Sequence, residues 1–347
     1  MNLNATSIVF RADAGLSIGN GHVMRCLTLA DALAARGARC IFVSRRDGGH
    51  LNDGIRRRGF EVVELPAEVN PMQDAKQTAA ALAGVRADWL VVDHYGLDIE
   101  WEQAVLTQDL RLMVIDDLAD RPHLCHLLLD QNLGRQRDDY VRHLPAGCSL
   151  LTGPPYALVR PAFAERRQAS LRRRESGDGR HLLVALGGVD QCNVTGAVLQ
   201  ALMSCTLPPD GRVTVVLGPH APWIDDVRVA TARFPSLCEL RVDVADMSLL
   251  MAEADLAIGA AGSSAWERCT LGLPALLLLL AENQREASKA LDACRAGRLL
   301  GSPADLRQAL SEAALPATLR AMSQAAAEVT DGLGAQRVVE QMAAAWS

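Results

Sequence analysis

Short apolar runs alternate with amphipathic stretches along nearly the whole of the 347-residue chain. This is the pattern that parallel α/β architecture leaves in a sequence. In the first half the runs predict strands at Ser7–Asp13, Arg39–Ser44, Phe60–Leu65, Trp89–Asp93, Leu112–Asp116 and Leu127–Gln131. Helices fit between them. The clearest is His22–Arg36, which places Cys26, Leu27, Leu29, Ala30 and Leu33 on one face, and Pro71–Gly84 and Asp98–Leu106 also fit. From Thr152 to Arg180 the alternation stops, at a Gly153-Pro154-Pro155 turn followed by the charge-dense stretch Arg166–Arg174. It restarts with His181–Leu186, and further strands fit Val213–Leu217, Leu237–Val242, Leu256–Ile258 and Ala275–Leu280.

The expected architecture is therefore α/β, with two Rossmann-like parallel-sheet domains facing a central cleft. The first spans residues 1–165 and the second 180–347, with a linker at about 160–180 and a C-terminal helix expected to pack back on the first domain. Length suits two domains of ordinary size. The arginine-rich run near the boundary reads as a solvated linker or helix face. In such sheets ligands bind outside the carboxyl ends of the strands, so the strand-end loops carry the functional question.

Composition narrows the classes. Hydrophobic residues make up 49% of the chain, enough for packed cores, but aromatics only 4%, too few for base-stacking platforms. A formal net charge of −6 offers no domain-wide basic surface to a phosphate backbone, so no nucleic-acid partner is expected. The nine cysteines are scattered without C-x-x-C spacing and read as reduced core thiols of a cytoplasmic protein. The polar N-terminus Met1–Ser7 lacks a signal-peptide pattern, and the most apolar run, Leu276–Leu280, is too short to span a membrane.

Four loops carry candidate chemistry. The first, Ala14-Gly15-Leu16-Ser17-Ile18-Gly19-Asn20-Gly21-His22, joins the first strand to the first helix. Its glycines permit close backbone approach to a ligand. As a dinucleotide-binding turn it is poor, lacking a third glycine, and strand two ends in Ser44-Arg45-Arg46 where an acidic residue would meet the NAD ribose. Those arginines suit NADP, which keeps that alternative open. His22 falls in the first turn of a helix, whose positive end disfavours an imidazolium and so suits a neutral general base. The alternative is a histidine that only caps or packs the helix start.

The second loop, Gly259-Ala260-Ala261-Gly262-Ser263-Ser264-Ala265-Trp266-Glu267, leads small residues into a helix start bearing two hydroxyls, a cradle for a diphosphate. Glu267 offers two acceptor oxygens to vicinal ribose hydroxyls, or else closes a capping box with Ser263 or Ser264. The third, Ala281-Glu282-Asn283-Gln284, brings donors and acceptors of the kind sugar hydroxyls demand, or a helix cap by Asn283. The fourth, Gly187-Gly188-Val189-Asp190-Gln191-Cys192-Asn193, ends at Asn193, a cap or a ligand contact. Asp116, Asp117, His123 and His126 match no metal motif, and neither a metal nor a cofactor is expected. There is no P-loop lysine.

Phe10-Arg11-Ala12-Asp13 followed by Ile18 to Arg25 resembles the opening of the UDP-2,4-diacetamido-2,4,6-trideoxy-β-L-altropyranose hydrolases of the pseudaminic-acid pathway. The resemblance continues through Val92-Asp93-His94-Tyr95-Gly96, Ile115-Asp116-Asp117, Asp130-Gln131-Asn132, Gly153 to Phe163, Gly187-Gly188, Gly262 to Glu267, Leu271-Gly272-Leu273-Pro274 and Asn283-Gln284. It implies the GT-B fold, similar to the lipid-II-forming N-acetylglucosaminyltransferase, and metal-free hydrolysis of a UDP-sugar. It further implies that the histidine matching His22 acts on the water that attacks C1 of the sugar. Gly262, Ser263, Ser264 and Glu267 would hold the UDP, with Gly21, Tyr95, Arg160, Asn193, Asn283 and Gln284 as further substrate contacts. The implied partner is thus a small-molecule UDP-sugar, handled by a monomer or weak homodimer. Extra length around Arg166–Gly179 and near the C-terminus departs from the pattern and bears on the domain boundary. A UDP-sugar glycosyltransferase of the same fold and a non-catalytic UDP-sugar-binding protein are the competing readings.

Overall fold

The computed structural model describes residues 3, 6–16, 18–67, 70–176, 179–208 and 210–345. Ser17 of the first glycine-rich loop, Gly177 and Asp178 of the expected linker, and Met1, Asn2, Asn4 and Ala5 at the polar N-terminus lie outside them. The chain divides into two compact units, one running to Leu158 and taken up again from Leu333, the other Val159–Gly332.

In the first unit the strands are β1 (Ser7–Ala12), β2 (Arg39–Arg45), β3 (Glu61–Leu65), β4 (Trp89–Asp93), β5 (Arg111–Ile115), β6 (Leu127–Asp130) and β7 (Ser149–Thr152). Among the described residues they form a seven-stranded sheet in the order β3-β2-β1-β4-β5-β6-β7, with every pairing parallel. The step from β1 to β4 is the crossover that makes a switch point, where α/β sheets place ligands. Helices α1 (Gly21–Ala34), α2 (Asn52–Arg57), α3 (Pro71–Ala83) and α4 (Ile99–Val105) connect the strands. Residues of β1 and β4 are buried on both faces, as a covered parallel sheet requires, and even Arg11 of β1 is fully enclosed. Local chemistry sets the helix starts: Asn70 accepts from the Gln73 amide at 2.9 Å ahead of Pro71, and Asp98 accepts from the Glu100 amide at 3.1 Å.

The second unit holds strands β8 (His181–Ala185), β9 (Arg212–Leu217), β10 (Leu237–Val242), β11 (Leu256–Gly259), β12 (Ala275–Leu278) and β13 (Gly297–Leu300). Their order is β10-β9-β8-β11-β12-β13, again all parallel. Its helices are α5 (Pro161–Arg174), α6 (Val194–Leu202), α7 (Ile224–Ala232), α8 (Met247–Glu253), α9 (Ser264–Thr270), α10 (Arg285–Ala293), α11 (Leu306–Ala313) and α12 (Pro316–Val329). The last helix, α13 (Gly334–Ala344), packs on α1 in the first unit, where Val338, Val339 and Met342 join the core of Leu29 and Leu33. The protein is thus a two-domain α/β fold of Rossmann-like units.

Two features differ from the sequence reading. The stretch expected as a linker is largely helix α5, and its arginines are not simply solvated. Arg167 donates to the carbonyls of Thr270 and Ala327, and Arg174 to those of Leu271 and Met251, so both bond to peptide groups at or near helix ends. The cysteines are also not uniformly core residues. Cys26, Cys40, Cys125 and Cys269 are buried, but Cys192 and Cys294 are exposed. No helix among the described residues is long and apolar enough to cross a membrane.

Candidate active site

In the first unit the loop after β1 is a tight hairpin. The Gly15 and Gly19 peptides bond each other in both directions, at 3.2 and 2.8 Å, with Gly19 at φ +76. That left-handed conformation favours glycine. The hairpin delivers the chain into α1, whose second residue is His22. His22 Nδ1 lies 2.6 Å from Oδ1 of Asp93, the last residue of β4. Arg25, one turn along α1, reaches the same carboxylate from Nε and from Nη2, each at 2.6 Å. It also donates from Nη1 to Asp117 at 2.9 Å. Tyr95 hydroxyl donates to Asp117 at 2.9 Å, and its ring meets the imidazole edge-on, with centroids 4.6 Å apart.

Burial works against the ionised form of Asp93, but Arg25 first and His22 next outweigh it and hold the carboxyl well below the usual range. Asp117 is held below its usual range in the same way, burial being overcome by Arg25. The Tyr95 phenol, raised by burial and by Asp117, stays a neutral donor. Because Asp93 is an ionised acceptor, Nδ1 of His22 must carry the proton it shares with that carboxylate. The ring's hydrogen bond to Asp93 is made from Nδ1, and the 3.5 Å approach of Arg25 Nη2 to the same nitrogen is no hydrogen bond in this tautomer. The neutral ring therefore presents a lone pair at Nε2, the requirement for a general base, and Asp93 supplies a counter-charge for the imidazolium formed on proton uptake. His22 lies in the first turn of α1, as expected, and the charged groups beside its ring are Asp93 and Arg25.

A second buried ionic group braces the same strand ends. Arg11 contacts Asp13 at 2.7 Å and Asp74 of α3 at 2.5 Å, and Trp101 Nε1 donates to Asp74 at 2.8 Å. Arg45 of β2 also pairs with Asp74, and its amide donates to Asp13 at 2.7 Å. Burial opposes ionisation of Asp74, yet Arg11 and Arg45 hold it at about 2. Asp13, at the foot of the glycine-rich loop, is therefore fixed.

In the second unit, Glu267 of α9 receives Arg160 Nε and Nη2 on Oε1, each at 2.8 Å, and Arg160 stacks over Phe163 at 4.9 Å. Arg160 and Glu267 are thus partners, and the capping-box alternative for Glu267 does not occur. Ser263 at the start of α9 makes no side-chain capping bond, while Ser264 hydroxyl accepts from the buried Arg268 at 3.3 Å. A Cβ on Gly262 would lie 3.6 Å from Gln284 Nε2, so the second and third loops adjoin. Gln284 Oε1 is a buried acceptor without a hydrogen-bond partner among the described residues. Asn283 sits in the short turn Glu282–Gln284 and does not cap α10, whose N-cap residue is Gln284. Asn193 is a cap: at φ +51 it accepts from the Gly196 amide at 3.1 Å. The Gly187-Gly188 turn is pinned against Gly218, where a Cβ would fall 2.4 Å from Gly188 carbonyl oxygen.

Of the sequence-predicted residues, Gly21, His22 and Tyr95 come together in the first unit. Gly262, Ser263, Ser264 and Gln284 form one group of strand-end loops in the second, where Arg160, just ahead of α5, pairs with Glu267 of α9. Asp93, Arg25 and Asp117 were given no role from sequence. Asp116, Asp117, His123 and His126 turn to separate partners: Tyr140, Arg25, Glu102 and the Leu112 amide. No group of three or more His, Cys, Asp or Glu among the described residues is arranged to hold a metal ion.

No family model matches the chain. Curated relatives do. A UDP-2,4-diacetamido-2,4,6-trideoxy-β-L-altropyranose hydrolase of Campylobacter jejuni is 26% identical over 262 residues, covering 74% of this chain and 85% of that one. The family resemblance is borne out. A spore coat polysaccharide biosynthesis protein, SpsG, of Bacillus subtilis is 26% identical over 80% of this chain and 78% of its own. An uncharacterized protein of Methanocaldococcus jannaschii is 23% identical over 80% of this chain, which spans only 57% of that longer protein. Among solved structures, MurG of Acinetobacter baumannii superposes with a TM-score of 0.71 at 15% identity, covering 97% of this chain and 99% of that one. A putative UDP-N-acetylglucosamine 2-epimerase of Listeria monocytogenes gives a TM-score of 0.66 at 13% identity, covering 96% and 94%. At these identities the structures speak for the fold alone.

Proposed function

We propose that the protein hydrolyses a UDP-sugar to UDP and the free sugar, with UDP-2,4-diacetamido-2,4,6-trideoxy-β-L-altropyranose as its substrate, in nonulosonic (pseudaminic) acid biosynthesis. The observation that carries this reading is the His22–Asp93 pair at 2.6 Å, fixed by Arg25, with Nε2 of His22 left to accept a proton. Water gives that proton to Nε2 as its oxygen bonds to C1 of the sugar, and the C1–O bond breaks with its electron pair leaving on UDP. Asp93 holds the ring in the required tautomer and balances the imidazolium. The uridine diphosphate is assigned to the second unit, with Gly262, Ser263 and Ser264 toward the diphosphate, Glu267 toward the ribose, and Arg160, Asn193, Asn283 and Gln284 as further contacts. Gly21 and Tyr95 serve the sugar beside His22. Good leaving-group stabilisation by amides and hydroxyls makes attack at carbon feasible without a metal clamp on phosphorus. We place the enzyme in the cytoplasm, as a monomer or weak homodimer.

The C. jejuni hydrolase supports this reading by its name. In a second reading an acceptor hydroxyl replaces water on the same fold, which a spinosyn rhamnosyltransferase shares at a TM-score of 0.61 and 15% identity. Incubation with the UDP-diacetamido sugar and no acceptor, following UDP release, decides between them. Steady release supports hydrolysis, and release only on addition of an acceptor rejects it.

A further inference from the structure

The strand that ends in Asp93 continues directly into a second histidine, and the two rings are held in opposite tautomers. In His22 the proton sits on Nδ1, facing Asp93. In His94 Nδ1 accepts the Gly96 amide at 2.9 Å, so the neutral ring carries its proton on Nε2. Among the described residues that N–H has no hydrogen-bonded partner. Oδ2 of Asp13 is 3.6 Å away, beyond hydrogen-bond range, and this buried oxygen has Arg45 Nε at 3.7 Å but no hydrogen bond among the described residues. Asp13 is not free to close the gap, because Arg11 and the Arg45 amide fix its carboxylate from the other side. The His94 side chain remains 25% exposed, enough to meet a ligand.

Resting on the hydrolase reading, we propose that His94 is a substrate-positioning residue. Its Nε2–H donates to an oxygen of the sugar, a hydroxyl or an acetamido carbonyl, while His22 acts on the water. The site then offers one acceptor nitrogen and one donor nitrogen, each fixed by its own Nδ1 partner. The donor state is robust. Protonating His94 would set a second N–H against the Gly96 amide, and burial, helped by Arg11 and opposed by Asp13, lowers its pKa to about 4. Arg11 and Asp13 of the β1 strand end, Asp74 of α3 and His22 of α1 are the charged and titratable groups that face it.

The test separates this role from folding and from the hydrolase reading. In His94→Asn the amide oxygen can still accept from Gly96, but nothing reaches the Nε2 position; in His94→Gln an amide N–H does. His94→Asn should raise KM for the UDP-diacetamido sugar about tenfold to hundredfold while leaving UDP affinity unchanged, and His94→Gln should recover most of the loss. Independently of turnover, histidine 15N spectra of the His22→Asn protein should show His94 as the Nε2–H tautomer. Its resonances should move on addition of the UDP-diacetamido sugar and stay in place with UDP alone. An Nδ1–H tautomer, resonances unmoved by the sugar nucleotide, or equal KM values for the Asn and Gln variants would overturn the proposal. Absence of UDP release by the wild-type protein, with the spectral shift intact, would overturn hydrolysis and leave the His94 contact standing.

Discussion

Replacing Asp93 by asparagine tests the core of the site with a nearly isosteric change. Asp93 makes contacts of 2.6 Å to His22 Nδ1, Arg25 Nε and Arg25 Nη2, all as acceptor. Asparagine brings only one acceptor oxygen, whereas Arg25 uses both carboxylate oxygens, Nε on Oδ2 and Nη2 on the Oδ1 that also receives His22 Nδ1. With the amide NH2 at the Oδ1 position, His22 Nδ1 must become the acceptor and the ring proton moves to Nε2; with it at the Oδ2 position, the NH2 opposes Arg25 Nε and the imidazolium loses its counter-charge. A histidine with Nε2 protonated cannot take a proton from water there. The loss of a positioned general base with its orienting carboxylate is worth about a hundredfold to ten-thousandfold in kcat. Stability should fall as well, by about 2–4 kcal/mol, less than the full penalty for an orphaned buried charge because Arg25 keeps Asp117 at 2.9 Å. The assay is UDP release at saturating UDP-sugar, with urea unfolding and UDP binding measured alongside. A folded Asp93→Asn protein that binds UDP and turns over within about threefold of wild type would refute the tautomer argument.

Further expectations follow from the same geometry. Glu267→Ala should raise KM more than it lowers kcat, because the proposal assigns this carboxylate, held by Arg160 at 2.8 Å, to the ribose; a collapse of kcat at unchanged KM would assign Glu267 to the chemistry. Dialysis against a chelator should leave activity intact, and activity lost and then restored by one particular ion would reject metal-independent attack. His94, at about 4 in the fold against 6.5 when exposed, binds its proton first in the unfolded chain, so its contribution to stability is complete above about pH 6.5 and drains away toward pH 4. Asp130, raised by burial to about 6 from 3.8, works in the opposite direction between those values. Urea unfolding at pH 7 and pH 5 should therefore show wild type losing about 1–2 kcal/mol more than His94→Asn, which leaves Asp130 untouched; parallel losses would contradict this sign.

Strands such as Trp89–Asp93 were legible because burial on both faces makes them continuous apolar runs. The edge strands β7 and β13, four residues each with only two leucines apiece, went unseen because they carry too little apolar sequence to stand out. His22 was legible from its place after a glycine-rich strand end. Its partner was not, because Asp93 is 71 residues away and meets it only through the crossover that sets β4 beside β1. A carboxylate closing a wholly apolar strand was the available signal. Arg11, Arg45, Asp13 and Asp74 were hidden for the opposite reason, since charged residues are expected at the surface and these neutralise one another inside. For Asn193, the cap that sequence offered as the alternative to a ligand contact is the bond the structure contains.

The central claim, attack by water at C1 with His22 as base, is tested most directly by turnover of the UDP-diacetamido sugar in water enriched in heavy oxygen, with His22→Asn run beside wild type. Mass spectrometry of the products should find the label in the released sugar and none in UDP. The His22→Asn protein should bind UDP with nearly unchanged affinity and release none from the substrate. Label in the nucleotide, or near-normal turnover in the His22→Asn protein, would contradict the account.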